Sequence, residues 1–407
     1  FVSAISLPNE VGHALAEIAD DKIDLELLPA MLATDDNKHK SFLGAYIWNR
    51  RNINGWEWVD NLSKSGWSNE NLAQFLSYLP FEKDSWNRVQ SWLNDSEVEY
   101  WKRTPANLFP RYDDLEVAIV KLLEFNRPIA AVECLSRQLF HNKTIDNELC
   151  LKALIAAVTS KEPHGNLYPY NFAELIKYLQ LQPDADKNLL FDVEWAYLPL
   201  FERQDGIKPI ELENKLASNP SFFCELIKYI YRSEFEKDSK KATSEKNKSI
   251  ATNAYNLLRK WSKLPGAEPD NQFNSSIFEK WLQDAQEICK ESGHLSVAMI
   301  NFGELLIHAP SDPGGLWIHK AVADALNDRD NEDMRSGYRS GVYNSRGAHW
   351  VDPTGAPEKE LAETYRQKAE AVEDEGFHRF AVTLRLIADG YDREAEKNIS
   401  NSNTTDC

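Results

Sequence analysis

The densest group of side chains able to do chemistry lies in GYRSGVYNSRGAHWVDPTGAPE, residues 337–358. It brings Tyr338, Arg339, Tyr343, Asn344, Arg346, His349, Trp350 and Asp352 into 15 consecutive positions, with glycines at 337, 341, 347 and 355. A carboxylate such as Asp352 can orient an imidazole such as His349 for acid–base work. No nucleophile stands in a G-x-S-x-G elbow beside them, and NSRG is a generic turn. An enzyme centred on Arg346, His349 and Asp352 is therefore one alternative and a nucleic-acid-binding helical domain the other, and the expectation is that the chain is not itself an enzyme. Glycine permits positive φ and close backbone approach, so residues 337–358 are expected to form a structured loop between helices. Tyr343, Asn344, Arg346, His349 and Trp350 are the candidate partner-binding residues there.

Tryptophan forms a second concentration. Seven of the 12, Trp48, Trp56, Trp58, Trp67, Trp86, Trp92 and Trp101, precede residue 105. Large aromatics fill the wedge between crossing helices, and they also anchor protein interfaces. Trp56 and Trp58 are the candidates for partner binding, because INGWEW reads as a turn. Stacking of nucleic-acid bases would need basic neighbours, and only Arg50 and Arg51 are close.

Other site chemistries lack their patterns. His294, His308 and His319 have no H-E-x-x-H or Cys/His ligand spacing around them, so no metal is expected. There is no G-x-x-x-x-G-K-[ST] phosphate loop, and no cofactor is expected. The cysteines Cys134, Cys150, Cys224, Cys289 and Cys407 are scattered without a C-x-x-C pair. Such a sparse, odd set fits inert thiols in a reducing cytoplasm. A formal net charge of −18 on 407 residues opposes broad binding of phosphate backbones. No run approaches the roughly 18 apolar residues of a membrane span, and the acidic start lacks the basic region of a signal peptide. The first residue is Phe rather than Met, so the chain is expected to be a piece of a longer polypeptide.

The elements that must hold these residues read as helices throughout. Phe172, Leu175, Ile176 and Leu179 share one helical face, as do Phe380, Leu384, Ile387 and Tyr391, and Leu361, Tyr365, Ala369 and Val372. Period-two alternation is almost absent. Asp113-x-x-Glu116 and Ser276-x-x-Glu279 read as capping boxes, and Asn219-Pro220 reads as a cap followed by proline at the first helical position. DDLEVAIVKLLEFNRPIAAVECLSRQLF reads as two helices joined across Asn126 to Pro128. Helix pairs along a long chain, without a fixed repeat length, give an all-α fold expected to be an irregular α-solenoid of the HEAT or TPR kind. Three units are expected: 1–165, Trp-rich; 166–240; and 241–407. The boundaries are KEPHGNLYPY at 161–170 and the Lys/Ser/Glu-rich 233–249, expected as an exposed loop.

Several stretches resemble the helical-repeat region of large, mostly uncharacterised bacterial proteins akin to antiphage defence proteins. They are YNSRGAHWVDPTGAPEKELAETYRQKAEAV, FHRFAVTLRLIADGYDREAEK, WLQDAQEICKESGHLSVAMINFGELLIHAPSDPGGLWI, SNPSFFCELIKYIYR and LPFEKDSWNRVQSWLNDSEVEYWKR. In such proteins the region follows an N-terminal NTPase or effector module. The resemblance implies a cytoplasmic sensor or scaffold that recognises a protein, a phage or host component, and relays that event to the upstream module.

Overall fold

A computed structural model describes residues 2, 6–34, 36–106, 115–163, 167–203, 206–236, 245–269, 272–347 and 351–405. Among them every regular element is helical, and the only strand-like pairing is one antiparallel bridge between Ala267 and Phe273. The chain is all-α.

Contacts group the helices into two units, Phe1–Lys208 and Pro209–Cys407. The first holds α1 (Pro8–Ile18), α2 (Asp21–Leu32), α3 (Asn37–Asn61), α4 (Asn69–Ser77), α5 (Lys83–Leu93), α6 (Val98–Trp101), α7 (Leu115–Glu124), α8 (Pro128–Phe140), α9 (Asn147–Val158), α10 (Pro169–Gln180), α11 (Lys187–Ala196) and α12 (Leu198–Arg203). The second holds α13 (Ile210–Ser218), α14 (Pro220–Ile230), α15 (Glu245–Lys260), α16 (Ser275–Glu291), α17 (Leu295–Leu305), α18 (Lys320–Asn327), α19 (Glu332–Ser345), α20 (Ala356–Asp374) and α21 (His378–Thr405). Residues 165 and 240, the expected boundaries, both fall inside these units. On either side of them, α8, α9 and α10 pack on one another, and α14 packs on both α15 and α16.

Helix starts follow the physics of orphan N–H groups. Asp20, Asp36, Ser68, Asp146, Asp186 and Asn219 each accept an N–H from the first turn that follows. Asn219 caps α14 with Pro220 next, as the sequence implies. At α16 the cap is Asn274, whose Oδ1 accepts from Ile277 at 3.2 Å, and not Ser276. The backbone is still extended at Asn274 and already helical at Ser275, which moves the cap two residues upstream. Asp113 lies outside the described residues. Of the segment 233–249, residues 245–249 open α15, and 237–244 lie outside the described residues.

The cores are aromatic. In the first unit Phe81, Trp86, Tyr100 and Trp101 form a buried cluster with ring centroids 5.0–6.3 Å apart. In the second, Phe223, Trp261, Trp281 and Phe302 do the same at 4.9–6.3 Å. Edge and offset arrangements of this kind add to the area these rings remove from water. The faces at Phe172, Leu175, Ile176 and Leu179, and at Phe380, Leu384, Ile387 and Tyr391, are buried throughout.

Candidate functional site

The first unit contains an open cleft of about 1080 Å³. Helical spacing builds it. Lys40, Gly44 and Trp48 sit one turn apart on a single face of α3, and Asn71 and Gln74 line it from α4, with Tyr78 at that helix's C-terminal end. His13 of α1, Thr34 after α2, and Glu99, Lys102 and Arg103 around α6 complete the rim. Gly44 matters for its size. A Cβ there would lie 3.1 Å from the Tyr78 ring, so glycine lets that ring approach α3 closely. Gln74 donates to the Tyr78 hydroxyl at 3.2 Å and fixes its outer end. On the α1 side, Asn49 donates to the His13 carbonyl at 2.9 Å.

Charge on the rim runs against the acidic protein. Lys40, Lys102 and Arg103 face the cleft with Glu70 and Glu99, three cations to two carboxylates. Arg103 spans both carboxylates, at 3.3 Å to Glu70 and 3.1 Å to Glu99. Two half-buried aromatics, a cation-rich rim and several amide and hydroxyl groups make a surface suited to a polar chain with an apolar anchor.

The two tryptophans singled out in INGWEW lie elsewhere. A turn does occur there: Gly55 adopts φ 69° and breaks α3 into two helical stretches. Trp58 is buried, and its indole N–H donates to Asp24 Oδ2 at 2.8 Å. Asp24 is fully buried and also accepts from the Tyr46 hydroxyl at 2.6 Å and from Arg50 through Nε and Nη2. This carboxylate ties α2 to both stretches of α3. Desolvation raises the Tyr46 phenol well above its ordinary value, and the hydrogen bond to Asp24 adds to the shift. Trp56 is half-buried between two guanidiniums, with Arg51 at 4.6 Å and Arg88 at 4.1 Å from its ring centre. Glu82 anchors Arg51 and Asp60 anchors Arg88. The Arg88 hydrogen bond holds the Asp60 carboxyl below its usual range.

The segment 337–358 is less of a loop than its glycines imply. Helix α19 runs to Ser345, so Gly337 and Gly341 lie inside a helix. The reason is steric. A Cβ on Gly337 would collide with the Ile300 carbonyl, and one on Gly303 with the Met334 carbonyl, so α17 and α19 touch backbone to backbone. The glycines serve a close helix crossing, and the helix carries the chain as far as Ser345.

Tyr343 donates its hydroxyl to the Ile387 carbonyl of α21 at 3.1 Å. Arg346 bonds Glu358 at 2.8 Å and Glu394 at 3.1 Å, and lies 5.3 Å above the Tyr391 ring. Asn344 is exposed at the end of α19. Asp352 is turned to its own loop, where Oδ1 accepts from the Thr354 amide at 2.8 Å and hydroxyl at 2.6 Å. These bonds lower its pKa. Arg346 and Asp352 thus engage different partners, and His349 and Trp350 lie outside the described residues.

Two of the histidines weighed as ligands carry local roles. His319 caps α18 through the Ala321 amide and lies tilted against Phe273 with ring centres 4.6 Å apart, while buried His294 contacts the Ser292 hydroxyl at 3.1 Å. Among the described residues no group of three or more metal-ligating side chains occurs, and no helix is long and apolar enough to cross a membrane.

Comparison with known proteins adds no relative: no family model, no curated protein and no solved structure matches the chain. Sequence reading pointed to the Trp-rich third but not to the cleft. Its lining comes from five segments between Asn9 and Pro105 with no shared motif. The available signal was the i, i+4, i+8 spacing of Lys40, Gly44 and Trp48, which places a small residue between a cation and an aromatic.

Proposed function

We propose that the chain is a protein-binding module whose first unit takes an extended segment of a partner into the cleft lined by Trp48, Tyr78 and Lys102. One observation carries this: a cleft of about 1080 Å³ that combines half-buried aromatic faces with an excess of cations on a protein of net charge −18. An aromatic or long apolar side chain of the partner packs against Trp48 and Tyr78, where it is removed from water. A neighbouring Asp or Glu lies near Lys102, where local charge and the acidic remainder of the surface select orientation more than affinity. Backbone groups of the segment meet Asn71, Gln74 and Thr34.

The setting that the resembling segments imply belongs to the same proposal. The chain then acts as a cytoplasmic sensor or scaffold region, arranged as an irregular α-solenoid, in a larger bacterial antiphage defence protein, and it passes partner binding to an upstream effector.

Selection of a random peptide library against the purified chain tests the recognition chemistry whatever the natural partner is. The expected result is a consensus of one aromatic or long apolar residue next to Asp or Glu. Enrichment should fall against Asn71→Trp, which places a bulky ring in the cleft, and against Lys102→Glu. Peptides that enrich equally on all three proteins would refute the cleft as the binding site.

A further inference from the structure

Two thiols that are 65 residues apart in sequence meet inside the second unit. The Sγ atoms of Cys224 on α14 and Cys289 on α16 are 2.8 Å apart, and both side chains are fully buried. That separation is within about 1 Å of a disulfide bond length. Cys224 Sγ also lies 3.5 Å from the Ala285 carbonyl, one turn before Cys289 on the same helix. By contrast, Cys134 and Cys150 in the first unit are single buried thiols. Burial pushes the Cys134 thiol up to about 12. At the pair, the hydrogen bond between the two sulfurs holds the Cys289 thiol below its ordinary value against the effect of burial, and the Lys228 ammonium one turn beyond Cys224 acts in the same direction.

We propose that Cys224 and Cys289 are a redox pair that hydrogen peroxide converts to a disulfide and small thiols restore, so that oxidation staples α14 to α16. Cys289 attacks the peroxide as thiolate. Its sulfur gains an oxygen as the O–O bond breaks, giving a sulfenic acid and hydroxide, which takes up the thiol proton as water. The Cys224 sulfur then attacks the sulfenic sulfur, the S–S bond forms, the S–O bond breaks, and a second water leaves. Two thiols and one peroxide give one disulfide and two waters, with two electrons passing from sulfur to oxygen. Cys224 already lies in contact with that sulfur, so resolution outruns further oxidation to sulfinic acid. The bridge closes a loop of 65 residues. A loop of that length restricts the unfolded chain strongly, and the oxidised unit melts higher than the reduced one. The two residues belong to SNPSFFCELIKYIYR and to the WLQDAQEICKESGH segment, and neither carries a C-x-x-C spacing that would reveal the pairing.

The test uses the full chain, reduced, freed of reductant and exposed to hydrogen peroxide under native conditions. Remaining thiols are then blocked and the digest is mapped by mass spectrometry without reduction. The expected product is one linked peptide pair, Cys224 to Cys289, lighter by two hydrogen atoms and reversed by a thiol reductant. Its melting temperature should rise by on the order of 10 °C over the reduced form. Cys224→Ala and Cys289→Ala, each checked for helicity by circular dichroism, should give neither link nor shift. Cys134 and Cys150 serve as internal controls and should stay reduced over the same interval. The proposal is overturned if no linked pair forms, if either cysteine accumulates as sulfinic acid without the link, or if Cys134 and Cys150 oxidise at the same rate. That last result would place the reaction in the unfolded chain.

Discussion

The indole N–H of Trp58 points at a carboxylate with no solvent exposure, Asp24, and the two meet at 2.8 Å. Asp24 takes donors from Tyr46 and Arg50 as well, so a buried charge is paired and its lone pairs are filled. The consequence is positional. Trp58 lies beyond the break at Gly55 while Tyr46 and Arg50 lie before it, so one anion sets the angle between the two stretches of α3. The first of those stretches carries Lys40, Gly44 and Trp48 into the cleft.

Removal of Asp24 should therefore be among the costliest single changes in the first unit. Asp24→Ala leaves the Arg50 guanidinium buried without its partner, a loss of about 3–5 kcal/mol. Trp58→Phe keeps most of the ring volume and removes one donor, a loss of about 1–3 kcal/mol. Urea unfolding of the two variants beside wild type measures both. Equal and small effects would show that the buried carboxylate does not organise α2 and α3.

Gly337→Ala should destabilise the second unit even though alanine is the better helix former. The propensity gain is about 1 kcal/mol. A Cβ at Gly337 would collide with the Ile300 carbonyl, and α17 must move away to admit it. Overpacking of that kind costs about 1–3 kcal/mol, and the backbone contact leaves little room to relax. Denaturant midpoints decide between the two terms. A midpoint at or above wild type would show that the helices are not in close contact.

The same crossing shows what was legible in the sequence and what was not. Helical class, the buried faces at Phe172–Leu179 and Phe380–Tyr391, and the Asn219 cap follow from local spacing, because each depends on residues within a few turns. Gly337 and Gly341 read as loop residues because glycine permits the positive φ that turns need. Their actual role depends on Ile300 and Glu304, more than 30 positions upstream. Trp58 fails for the same reason, since its partner Asp24 is 34 residues away. The cleft and the Cys224–Cys289 pair are likewise products of distant segments that carry no joint pattern.

Arg346 should behave as a structural residue. Its guanidinium is held by Glu358, which is almost fully buried, and by Glu394, and so joins the start of α20 to α21. Arg346→Ala should cost about 3 kcal/mol by leaving Glu358 without its cation. Tyr343→Phe, which loses only the bond to the Ile387 carbonyl, should cost about 1 kcal/mol. Thermal unfolding of both variants measures the ratio. A stable Arg346→Ala chain would return this residue to the candidates for direct partner contact.

Glu304 gives a pH-dependent prediction. Burial raises its carboxyl above the ordinary value, and Arg259 opposes the shift only in part. The folded state therefore prefers the neutral acid. That contribution is present below the ordinary glutamate range and is lost as pH rises through the raised value. Glu304→Gln should be more stable than wild type at neutral pH, and the difference should close as pH falls to about 4. Denaturant titrations at several pH values check this, and a difference independent of pH would contradict it.

The central claim, that the cleft beside Trp48 and Tyr78 binds a partner segment, is tested most directly by calorimetric titration of the strongest library-selected peptide into wild type and into Asn71→Trp, with both proteins first shown to have the same helicity and melting temperature. Binding weakened at least tenfold by the obstructed cleft, about 1.4 kcal/mol, is the result predicted. Equal affinity for the two proteins would contradict it and would place recognition on another surface of the chain.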